Sequence, residues 1–133
     1  MARTDARAEM ALVLVADDDE DIRDLVSFKL EQLGVDVVSA ADGSAALAAV
    51  RERRPDIAVL DISMPGLSGI DVCRAIRAEP DLSATRVILL TARAQESDVE
   101  AGFSAGADDY VTKPFSPREL VSRIQTLLAR AQP

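Results

Sequence analysis

Six polar side chains in this sequence matter chiefly as a set. Asp17, Asp18 and Asp19 form an acidic run, Asp61 precedes Ser-Met-Pro-Gly with one residue between, Thr91 follows an apolar run, and Lys113 precedes a proline. Taken singly, each has a plain explanation. Acids ahead of a helix favour its positive end, an aspartate near Pro-Gly suits a turn, and a strand-end hydroxyl or a surface lysine needs no function. Taken together they offer different chemistry. Carboxylates gathered in a partly desolvated pocket repel one another unless a cation sits among them. A hydroxyl and an ammonium opposite such a cation make a clamp for phosphoryl oxygens.

Composition narrows the choice. The 133 residues contain no histidine and one cysteine, which excludes His/Cys zinc sites, Ser-His-Asp and Cys-His catalysis, and a disulfide within the chain. Metal chemistry must then rest on carboxylates and carbonyls, the ligands of Mg²⁺, Mn²⁺ or Ca²⁺. A net charge of −8 argues against direct nucleic-acid binding by this chain. No apolar run approaches a membrane span and the first nine residues hold no signal-peptide core, so a cytoplasmic protein is expected.

The elements that must gather the six side chains show as an alternation of patterns. Residues 11–16 are a short apolar run, expected as a buried strand, and they break into the acids at 17–21. Ile22, Leu25, Val26, Leu30 and Leu33 recur at helical spacing, with Gly34 as the terminating glycine. Strand two is expected over 35–39, an alanine-rich helix over 44–53, and strand three over 57–60, delivering Asp61. Ile70, Val72, Cys73 and Ile76 outline a third helix, residues 87–90 a fourth strand, and about 95–105 a fourth helix whose face rests on Val99 and Phe103. Residues 109–112 form a short fifth strand, and Ser116, Pro117 and Glu119 open a last helix in a capping-box pattern. Five strands alternating with five helices imply βαβ units, a parallel sheet with helices on both faces, and a site at the strand C-termini. A loose tail over 1–10 and one domain over 11–131 are expected.

Four segments carry a family likeness. Val15-Ala-Asp-Asp-Asp, Leu60-Asp-Ile-Ser-Met-Pro-Gly66, Leu90-Thr-Ala92 and Gly106-Ala-Asp-Asp-Tyr-Val-Thr-Lys-Pro-Phe115 resemble, in that order, the receiver domain of two-component response regulators. The resemblance covers about residues 11 to 130. It implies a flavodoxin-like, doubly wound α/β fold with strand order 2-1-3-4-5. It makes Asp61 the phospho-acceptor, served by a phosphohistidine on a sensor histidine kinase or phosphotransfer protein. Mg²⁺, with Mn²⁺ as a substitute, is implied at Asp17, Asp18, Asp61 and the Ser63 carbonyl. Thr91, Ala92 and Lys113 are implied as phosphoryl-binding, Thr91 and Tyr110 as the switch, and Lys113–Pro114 as a cis bond. Ser63 and Arg93 stand at the two positions that tune loss of the phosphoryl group by hydrolysis.

On this reading the protein is a signalling module, with no enzymatic activity beyond Mg-dependent self-phosphorylation and autodephosphorylation. Its output is the surface of helix four, strand five and helix five, directed at a downstream output domain or protein. Asp109, Arg118, Glu119 and Arg123 are candidates for the charge pairs of a phosphorylation-dependent homodimer there, although Val99 stands where a basic partner is expected. The main rival is a haloacid-dehalogenase-like phosphatase using Asp17 and Asp19 with Thr91 and Lys113. It leaves Asp61 without a role and finds no acidic pair after Lys113.

Overall fold

The computed structural model of the protein describes residues 11–92 and 96–130; the expected tail over 1–10, Arg93 and the expected helix start at Gln95 lie outside the described residues. Five parallel strands, β1 (Leu12–Ala16), β2 (Asp36–Ala40), β3 (Ile57–Asp61), β4 (Arg86–Ala92) and β5 (Asp109–Lys113), form one sheet in the order β2-β1-β3-β4-β5. Between and after them run α1 (Glu20–Gln32), α2 (Gly43–Arg53), α3 (Gly69–Ala78), α4 (Glu96–Ser104) and α5 (Pro117–Arg130). Both the strand order and the five-by-five alternation agree with the sequence reading.

Side chains alternate across a strand, so each central strand feeds two cores. Leu14, Ala58, Leu60 and Leu89 point to one face, where α2 and α3 cover them with Leu47, Val50, Val72 and Ile76. Val13, Val15, Val59, Ile88 and Leu90 point to the other, beneath Val26 and Leu30 of α1 and Leu120, Ile124 and Leu127 of α5. β3 lies between β1 and β4 and is buried along its whole length, which explains its uninterrupted apolar run. That run carries Asp61 to the edge of the sheet.

The helix ends are specified locally. Asp19 caps α1, its side chain accepting from the Asp21 and Ile22 N–H groups. At the other end Gly34, with φ 83°, lets the Gly34 and Val35 N–H groups reach back to the carbonyls of Glu31 and Leu30 at 3.0 and 3.2 Å. The full reciprocal capping box falls at Ser68 and Asp71 on α3, which the sequence reading passed over. At α5 Ser116 accepts the Glu119 N–H at 3.0 Å, while the Glu119 carboxylate lies 3.6 Å from Arg123.

Three expected inward side chains face outward: Leu25 is 46% exposed, Leu33 43% and Phe103 47%. On α1 the inner stripe is Ile22, Val26 and Leu30, spaced four apart; Leu25 lies one residue off that stripe and Leu33 is already the C-cap. On α4 the contact with the sheet is made by small residues instead. A Cβ on Gly102 would stand 2.4 Å from Leu89 Cδ1, so the helix backbone itself sits on β4. An apolar periodicity built on large side chains does not register such a face.

Candidate functional site

The C-terminal ends of β1, β3, β4 and β5 deliver Asp17, Asp61, Thr91 and Lys113 to one edge of the sheet. Asp17 is fully buried and follows β1 directly; Asp61 is 4% exposed and Thr91 2%. Asp18 is exposed at the mouth, and it offers a carboxylate oxygen within 4.8 Å of those of Asp17 and Asp61. Asp19 does not join them, because its carboxylate is engaged in capping α1.

Lys113 is the cation that this arrangement already contains. Its Nζ donates to Asp61 Oδ2 at 3.2 Å and stands 2.8 Å from Asp17 Oδ2. The second approach lacks the direction of a hydrogen bond, which leaves Asp17 Oδ2 buried beside a charge but without a donor. Such an orphan oxygen, flanked by two more carboxylates, fits the hard oxygen donor set of a small divalent cation.

The electrostatics point the same way. Burial, and next the charge of Asp17, push the Asp61 carboxyl up from 3.8 to about 6, against the opposing pull of Lys113 and of the Ser63 N–H. Burial alone lowers Lys113, but its contacts with Asp17 and Asp61 outweigh that and hold its ammonium above the usual value. A pocket that raises one carboxyl while strengthening one ammonium is short of positive charge.

Backbone bonds hold the carboxylates in place. Asp17 Oδ1 accepts from the Asp19 N–H at 2.9 Å, and Asp61 Oδ1 from the Ser63 N–H at 3.2 Å. The Ile62 N–H bonds to the Leu90 carbonyl at 3.0 Å and the Gly69 N–H to the Ile62 carbonyl at 3.1 Å, so the loop after Asp61 is tied at both ends. Ser63 is exposed on that loop, and the Thr91 hydroxyl sits 3.4 Å from the Ala92 carbonyl. Ala92 is the exposed last residue of β4, and Lys113–Pro114 is cis. Tyr110, in β5, is half-buried against the edge of Phe103, with ring centroids 5.5 Å apart.

Two supporting residues escaped the sequence reading. Arg23 of α1 donates Nη1 to the Asp17 carbonyl at 2.7 Å and braces the acidic turn from behind. Gly69 opens α3 against the Asp61 backbone, where a Cβ would lie 2.5 Å from the Asp61 carbonyl oxygen. The Pro65-Gly66 turn drew attention to the loop, but only the fold shows how tightly Gly69 closes it.

Comparison with known proteins places these features. The family profile described as "Response regulator receiver domain" matches residues 13–125. The DNA-binding response regulator MtrA of Mycolicibacterium smegmatis is 47% identical over 118 residues, which cover 89% of this chain and 50% of that protein. The chain therefore spans about half the length of the curated relatives it matches. Among solved structures, a putative response regulator from Chloroflexus aurantiacus superposes with a TM-score of 0.83 at 36% identity, covering 90% of this chain and 98% of that one. The beryllofluoride-activated receiver domain of DrrB, a Thermotoga maritima protein, gives a TM-score of 0.81 at 42% identity, covering 90% and 98%.

Proposed function

We propose, for a chain that belongs to the response regulator receiver family, that Asp61 is the residue phosphorylated and that the face around Tyr110 reports it. The single observation carrying this reading is the convergence on Asp61 of a buried carboxylate and a mouth carboxylate from the end of β1 and a lysine from the end of β5. A haloacid-dehalogenase-like phosphatase has no support here, since Asp19 is engaged in capping and Asp61 would stand idle.

The choice of nucleophile follows from burial and bonding. Asp17 is fully buried, Asp18 is exposed, and Asp61, at the end of β3, is buried but still 4% exposed. With its carboxyl near 6, about nine-tenths of Asp61 is ionised at neutral pH and free to attack. A carboxylate oxygen bonds to phosphorus as the bond to the donor imidazole breaks, and the phosphoryl group moves to Asp61. Lys113, already in contact with Asp61, would pair with phosphoryl oxygens, and Thr91 and Ala92 would supply a hydroxyl and an N–H from the end of β4. Asp17, Asp18, Asp61 and the Ser63 carbonyl would hold Mg²⁺, or Mn²⁺ in its place, which supplies charge neutralisation for the transferring group when bound. Hydrolysis returns the carboxylate, at a rate that Ser63 and Arg93 tune.

The donor is a sensor histidine kinase or phosphotransfer protein. The target is an output domain or partner that reads α4, β5 and α5. DNA binding, which the name of the mycobacterial relative states for that protein, would belong to sequence beyond the matched half. No described helix is long and apolar enough to cross a membrane. A homodimer through α4, β5 and α5 has to re-pair Arg123, which now makes two bonds to Asp109 at 2.9 and 3.1 Å.

The deciding experiment is labelling with acetyl phosphate. Wild type takes up one phosphoryl group in the presence of Mg²⁺ and none with chelator, and Asp61→Asn takes up none. Undiminished labelling of Asp61→Asn would refute the assignment.

A further inference from the structure

We propose that Phe103 is a positioning residue that holds Tyr110 in its resting place and thereby sets how readily the switch responds; this rests on the reading of Asp61 as phospho-acceptor. Phe103 is nearly half exposed, so it contributes little to the core, yet its ring stands edge-on to Tyr110 at an interplanar angle of 83°. Edge-to-face pairs of this kind shift equilibria beyond what simple burial does.

The end of α4 that carries Phe103 is fixed to the rest of the molecule. Arg77 donates to the Gly106 carbonyl at 2.9 Å, the Thr85 carbonyl at 2.7 Å and Asp108 Oδ2 at 2.9 Å. Asp108 in turn accepts the Val87 N–H at 2.8 Å. Gly106, with φ 103°, makes the crossing possible, since a Cβ there would lie 2.6 Å from Arg77 Cγ. One residue before Phe103, Gly102 seats the helix backbone on Leu89. Phe103 is thus a post on an anchored element.

A space that Tyr110 and Phe103 both line is closed in by Ile62, Leu89, Thr91 and Val99 and has no room for a water molecule. The Tyr110 ring enters it only when the lining yields. Thr91, at the end of β4 beside the strand that carries Asp61, is the hydroxyl in this lining, and on this proposal its displacement makes room. Phe103 lines the same space, so a Tyr110 ring moving into it gives up the present edge-on geometry, and on this proposal Phe103 weights the equilibrium toward rest.

Ligand binding and switching are reciprocal, so loss of the post appears as tighter binding of a phosphoryl mimic. Beryllofluoride with Mg²⁺ is titrated calorimetrically into wild type, Phe103→Ala, Tyr110→Ala and the double variant, each checked for its thermal midpoint. Phe103 is exposed enough that its truncation leaves the fold intact. The expected result is binding roughly 2- to 10-fold tighter in Phe103→Ala, with no effect of the same substitution once Tyr110 is alanine. Equal or weaker binding by Phe103→Ala, or the same gain in the Tyr110→Ala background, overturns the proposal. Absence of binding in wild type removes the phospho-acceptor reading and this inference together, whereas binding without coupling removes the inference alone.

Discussion

Asp61 is held where its ionisation is unfavourable, and that has a thermodynamic signature. Its carboxyl titrates at about 6 in the folded chain against 3.8 as the ordinary value, with burial the first cause and Asp17 the second. Between those two pH values the folded chain holds a proton that the unfolded chain has released, so stability falls as pH rises. The contribution is complete below about 3.8 and gone above about 6. Urea denaturation of the metal-free protein across this window is expected to show that decline, and Asp61→Asn to flatten it. A decline of equal size in Asp61→Asn would place its origin elsewhere. The same residue shows what sequence can and cannot deliver. An aspartate after an apolar run, read with Asp17, Thr91 and Lys113, identifies the pocket. That Asp17 Oδ2 lacks a donor, and that Arg23 braces its carbonyl, depend on directions in space that spacing does not encode.

Among the elements, the loop from Asp61 into α3 separates stability from function. Gly69 lies against the Asp61 carbonyl, and alanine there must move either the helix or the carboxylate. Gly69→Ala is expected to cost about 1–3 kcal/mol, as overpacking does, and also to slow labelling by acetyl phosphate. Ser68→Ala, one residue earlier, removes a cap worth about 1 kcal/mol and is expected to leave the labelling rate unchanged. Equal effects of the two on labelling would deny Gly69 its role. Strands and helices built on Val, Ile and Leu were legible because burial imposes period two or 3.6 on large side chains. The α4–β4 contact was not, because Gly102 contributes by lacking a side chain. Phe103, expected on the inner face, stands outside for the same reason. The bonding of Arg77 and Asp108 was likewise not legible: their bonds join Thr85, Gly106 and Val87, positions that come together only in the folded chain.

At the scale of the molecule, the acidic pocket exists only when four strands are assembled. Its parts come from Asp17, Asp61, Thr91 and Lys113, separated by tens of residues, so an unfolded chain offers no comparable cation site. A bound divalent ion therefore stabilises the whole fold. At ten times its dissociation constant the gain is about 1.4 kcal/mol, read as a rise in thermal midpoint, and Asp17→Asn is expected to abolish it. A rise of the same size in Asp17→Asn would mean that the ion acts at another place. Charge at this scale is lopsided, at −8, and the pocket adds to it unless a cation is bound. The pairing of Tyr110 with Phe103 has an optical consequence for the entire molecule. The chain has one tyrosine and no tryptophan. Its near-ultraviolet absorption, dichroism and emission thus arise chiefly from the single ring that rests on Phe103, so the protein carries an intrinsic chromophore at the place where the proposed switch would act.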